Sequence, residues 1–147
     1  MDWLSGLFQN IVFQTIISGV LVFIVSEIIQ KFLLDSLHQF KGVIGKIDSQ
    51  LIFYRNVLGT PISNEEINKN CRETMKRLMS DLGATYNQIP FSEFLSFFYS
   101  KIPHRKQIHE SIRSLRFLAN NVGREDDGGK NIEKIAKIRE NLDIQEL

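Results

Sequence analysis

This chain of 147 residues holds one cysteine, one tryptophan and three prolines, and its first 30 positions contain neither Lys nor Arg. Each shortage excludes something. A single cysteine, Cys71, forms no internal disulfide, which fits a reducing compartment, and its expected place is in the core as a small apolar residue. His38, His104 and His109 have no Cys or carboxylate partner at metal-ligand spacing, so neither metal nor cofactor is expected. No G-x-S-x-G, P-loop or H-E-x-x-H pattern occurs, and no catalytic residue can be named; the reading is not an enzyme. Alternating apolar and polar positions of useful length are also missing, which leaves an all-α fold. The net charge of +1 argues against a strongly basic surface for bulk nucleic-acid binding.

What is present is one long apolar run. Residues 11–29 read IVFQTIISGVLVFIVSEII, close to the roughly 20 residues that a helix needs to cross about 30 Å of hydrocarbon. No basic stretch or small-residue cleavage site precedes it, unlike a signal peptide. Residues 11–30 are therefore expected to form a retained transmembrane helix in the lipid bilayer. Lys31, Lys41, Lys46 and Arg55 follow it, so the positive-inside rule places the N-terminus outside and residues 31–147 in the cytoplasm. Residues 1–10 become an outer stub, with Trp3 and Phe8 at the interface.

Turned through about 100° per residue, Gln14, Thr15, Ser18, Gly19, Ser26 and Gln30 share a sector a little under half the circumference. Val22, Val25 and Ile29 interrupt it. Lipid does not reward such a face, so it calls for protein or water. Two readings stay open: a dry homo-oligomeric interface of small and hydroxyl residues, or a pore lined by these residues with Val22 as an apolar girdle. Glu27 either snorkels to the headgroups, within reach of Lys31, or points inward as a ring of carboxylates selecting cations.

The apolar pattern continues past the membrane. Leu33, Leu37, Phe40, Ile44, Ile47, Leu51, Tyr54 and Leu58 recur at spacings of four and three, the seam of a coiled-coil or bundle helix. One nearly continuous helix is expected from the span to about Leu58, with a bend at Gly42 and Gly45, each of which lowers helix propensity by about 1 kcal/mol. Gly59 and Pro61 end it. Ser63 with Glu66 reads as a capping box for a helix buried through Ile67, Cys71, Met75, Leu78, Leu82 and Thr85 or Tyr86. A short aromatic helix is expected at 92–102, and another at 105–122, stopped by Gly123. Residues 123–131 read as a mobile loop, and a last helix carries Ile132, Ile135, Ile138 and Leu142 on one face.

Basic residues gather in the cytoplasmic part. Arg72 and Lys76 lie on one helix, and His104, Arg105, Lys106, His109, Arg113 and Arg116 on the start and outer face of another. They are the ligand-binding candidates: a solvated surface, a site for an anionic nucleotide or short oligonucleotide, or a contact with anionic headgroups.

The motifs F-Y-R-N-V-L at 53–58, C-R-x-x-x-x-R-L at 71–78, Y-N-Q-I-P at 86–90 and I-P-H-R at 102–105 resemble small single-span membrane proteins of bacterial anti-phage defence loci. The I-x-x-x-I-x-x-L-x-x-L-A-N-N pattern at 108–121 belongs to the same resemblance. The layout is similar to the membrane-channel effectors of the Hailong defence system. That resemblance implies a homo-tetrameric inner-membrane channel, a stub whose Trp3, Leu4, Leu7 and Phe8 plug the pore, and control by a nucleotide-type product of a partner nucleotidyltransferase. The expected function is therefore an abortive-infection channel effector gated through its helical domain. The alternative is a membrane-anchored module that dimerises through its span and recruits a cytoplasmic partner.

Overall fold

The computed structural model describes residues 11–60, 63–90, 92, 102–124 and 128–144, and these are all helical or connecting, with no strand among them. The apolar run folds as α1, Ile11–Ile28. A π-helical segment, Ile29–Leu34, follows without interruption and leads into α2, Asp35–Phe53. Together they make one helix of 43 residues, Ile11–Phe53, whose N-terminal part has a mean hydropathy of 2.2 and buries nothing. It is long and apolar enough to cross a membrane.

The helix departs from regularity elsewhere than at the glycines. Gly42 and Gly45 lie inside α2, facing open space. The irregular stretch is Ile29–Leu34, where the Asp35 N–H donates to Gln30 O, five residues back. That bond encloses one residue more than an α turn. At its far end the long helix stops at Phe53, short of Leu58, because Tyr54 leaves helical geometry (φ −91°, ψ 9°) before the short α3, Arg55–Gly59.

Three further helices complete the bundle: α4, Glu65–Asn87; α5, Arg105–Asn121; and α6, Gly128–Asn141. Successive helices run antiparallel. Phe40 of α2 meets Tyr86 at the far end of α4, with ring centroids 5.8 Å apart, and Gly83 of α4 lies against Ile112 of α5. Lys137 of α6 reaches Glu110 of α5 at 3.5 Å. The last helix returns to the first, since Arg139 Nη2 lies 3.1 Å from Asp48 Oδ1. Phe40, Ile47, Leu51, Leu58, Cys71, Met75, Leu82, Ile108, Leu115, Leu118 and Ile138 fill the space between them. Each such Leu, Ile, Met or Phe contributes about 1.5–3 kcal/mol through its removal from water.

Most of the apolar stripes read from the sequence are the buried ones, with local exceptions. Val43, off the four-and-three seam, is buried, while Leu33, Leu37 and Ile44 are half-buried. Ile67 and Ile132 are exposed, Ile132 to 58%, because α6 turns Asn131, Ile138 and Leu142 inward instead. Asn64, not Ser63, caps α4: its Oδ1 accepts from the Ile67 N–H at 3.2 Å. The stop after α5 is Gly123, as its φ of 81° and the Asn68 amide 2.9 Å from where a Cβ would stand both require. Helix α6 begins at Gly128, so the second half of the expected 123–131 loop is helical. The aromatic segment 93–101 and the stub 1–10 lie outside the described residues.

Candidate functional site

Two regions carry the candidate residues. Gln14, Thr15, Ser18, Gly19, Val22, Ser26 and Glu27 on α1, and Gln30 in the π segment, are all exposed. The Thr15 hydroxyl donates to Ile11 O at 2.9 Å and the Ser26 hydroxyl to Val22 O at 2.8 Å. These two hydroxyls spend their protons on their own helix, so in hydrocarbon they need no outside acceptor. A methyl at Gly19 would meet nothing within 4 Å, which leaves room there for a second helix. The plug candidates Trp3, Leu4, Leu7 and Phe8 fall outside the described residues.

The direction of each helix sorts the basic candidates. Because α4 runs back toward α1 and α5 away from it, His104, Arg105, Lys106 and His109 occupy the end of the bundle nearest α1. Arg105 Nε donates to His109 Nε2 at 3.4 Å, so these two share a face one turn apart. The His104 N–H donates to Gln107 Oε1 at 2.8 Å, closing the first turn of α5.

Arg72 stands at the opposite end. It lines a shallow cavity of about 890 Å³ with Lys69, Glu65, Glu66 and Gly123. Lys76 and Arg116 are exposed between the two ends. The eight candidates are thus spread along the bundle and do not converge on one ligand.

Arg113 has a different setting. With Glu110, Ser114, Phe117, Lys134 and Lys137 it lines a cavity of about 300 Å³ between α5 and α6. Lys137 Nζ lies 3.5 Å from Glu110 Oε2, and Lys134 Nζ sits 5.7 Å from the centre of the Phe117 ring. Lys134 Nζ also lies 3.5 Å from Glu133 Oε1, so three cations meet two carboxylates and the cleft keeps a net positive charge beside an aromatic face. Lys134 and Lys137 escaped the sequence reading because α6 was read only for its apolar face. Their spacing of three, which places them on one side of a helix, was the available signal.

Cys71 is fully buried. Burial pushes its thiol from the ordinary 9.0 up to about 12, and the neighbouring Arg72 offsets only part of the rise. It is therefore a packed, protonated core group with no nucleophilic character at neutral pH. Among the described residues no group of three His, Cys, Asp or Glu is placed to hold a metal ion.

Fold and site together define an all-helical protein in which a helix able to cross a membrane runs unbroken into an antiparallel bundle. Comparison with protein families, curated proteins and solved structures finds no match for the chain.

Proposed function

We propose that this chain is the subunit of a homo-oligomeric bacterial inner-membrane channel, an anti-phage effector that depolarises the cell when its helical domain releases the pore. The observation that carries this reading is the single helix Ile11–Phe53. Its first half carries the polar sector and its second half forms one wall of the bundle, so any tilt or turn of the bundle reaches the sector without a flexible joint.

The π segment supports the same reading. On a regular α-helix the polar sector of α1 and the bundle face of α2, Phe40, Val43, Ile47 and Leu51, would fall on the same side. A ring with its polar sectors on the axis would then drive every bundle into that axis. The extra residue of the π turn rotates the two faces apart by about 100°, which frees the bundles to sit around the ring. Homo-tetramers remain the favoured assembly, with Gln14 and Ser18 wetted and Val22 as the constriction. A nucleotide-type product of a partner nucleotidyltransferase fits best in the α5–α6 cleft: phosphate on Arg113 and Lys137, a base beside Phe117. Binding there would wedge α6 from α5 and, through Arg139 and Asp48, reach α2.

Single-channel recording of the full chain in planar bilayers tests the proposal. Unitary currents that Ser18→Leu lowers support it. Intact oligomers that stay silent, alone and with nucleoside triphosphates added, overturn it. The second reading, a dimeric anchor with a recruiting bundle, is favoured by the self-satisfied hydroxyls of Thr15 and Ser26. A dimer by native mass spectrometry, together with function retained when the α1 sector is replaced by leucines, decides for the anchor.

A further inference from the structure

We infer that the end of the bundle carrying His104, Arg105, Lys106 and His109 docks on the anionic headgroups of the leaflet from which α2 emerges. The inference rests on the reading of α1 as a membrane span and commits this end of the bundle, among the basic candidates, to a lipid partner.

Depth follows from the helix rise. Phe40 lies ten residues past Gln30, where the apolar run ends, and so about 15 Å beyond the hydrocarbon edge at 1.5 Å per residue. Tyr86 is level with Phe40, and α4 ends one residue further on, at Asn87. The neighbouring helix is fixed by Gly83, which lies against Ile112. Counting back along α5 brings His104 to about 8 Å from the hydrocarbon edge, and Arg105 and Lys106 to about 10 Å. The headgroup layer itself is about 5–8 Å thick. Flexible Arg and Lys side chains at that depth reach phosphate directly, within the screening length of about 8–10 Å at physiological salt.

Charge agrees with the position. The one acid of α5, Glu110, is engaged by Lys137 on the α6 side. Asp35, near the same depth, is exposed on α2. Arg105, Lys106 and His109 are exposed, and nothing acidic lies between them along α5.

Hydrogen exchange of the full chain in nanodiscs tests the docking. Discs of neutral phosphatidylcholine are compared with discs containing phosphatidylglycerol, at low and high salt, for wild type and for the variant Arg105→Glu with Lys106→Glu. Slower exchange over residues 104–110 in anionic discs is expected, lost at high salt and in the variant, with docking weakened about fivefold for each basic residue removed. Equal exchange in both lipids, with residues 11–28 protected in each, overturns the docking and leaves the span reading intact. Protection produced by inorganic phosphate in neutral discs overturns it in favour of a soluble anion. If residues 11–28 exchange freely, the span reading falls and the docking with it.

Discussion

Replacing Asn131 by Ala tests what holds the last helix to the first. Asn131 is 2% exposed, and its Nδ2 donates to Leu58 O at 2.8 Å across 73 positions of sequence. Leu58 belongs to α3, a helix of five residues, and its carbonyl is one of the terminal acceptors that a helix cannot satisfy internally. Alanine leaves that buried acceptor without a donor, which costs about 1–3 kcal/mol. Part of the loss is offset, because Asn131 Oδ1 is itself buried without a partner and disappears with the substitution. The balance is about 1 kcal/mol of destabilisation, or a melting temperature lower by about 4 °C for a bundle of this size. Thermal unfolding followed by circular dichroism in detergent measures it, and Asn131→Asp, which keeps the size but offers no donor, should be at least as unstable. A melting temperature for Asn131→Ala within about 2 °C of wild type would refute the claim that this amide is a structural tie.

Two further outcomes follow from the same bundle. The Asp48 and Arg139 pair joins α2 to α6 at 3.1 Å, with the two side chains 22% and 19% exposed. A double-mutant cycle with Asp48→Asn and Arg139→Gln should therefore return a coupling of about 1 kcal/mol; a coupling of zero removes the route from the α5–α6 cleft to the long helix. For Cys71, burial raises the folded thiol to about 12 from 9.0. Its contribution to stability is then complete below pH 9 and falls as pH rises from 9 toward 12, since only the unfolded chain releases the proton there. Cys71→Ala should flatten that part of the urea-stability profile, and the folded wild type should resist iodoacetamide at pH 8; ready alkylation would contradict the burial.

Much of the architecture was legible because helices announce themselves locally. The four-and-three seam from Leu37 to Leu51, the stripe from Cys71 to Tyr86 and the stop at Gly123 all follow from 3.6-residue periodicity and from the conformations that Gly permits. Errors fell where two local signals competed or where a partner decided. Ser63 and Asn64 are both able caps, and it is Asn64 whose side chain accepts from the Ile67 N–H. Ile132 satisfied the apolar pattern of α6 as well as Ile135 did, yet docking turned the helix to bury Asn131 and leave Ile132 in the open. The basic candidates formed two groups in sequence, and the antiparallel run of α4 and α5 decided that Arg72 and Arg105 stand apart by most of the bundle's length.

The sequence by itself determined that the chain is helical, that residues 11–28 are apolar enough to cross a membrane, and that the helix continues beyond them. These depend on composition and on neighbours three and four positions away. Only the tertiary structure decided the π turn at Ile29–Leu34 and the ties from Leu58 to Asn131 and from Asp48 to Arg139. The two ties reflect how a whole face of one helix settles against another, and no window of a few residues contains both partners.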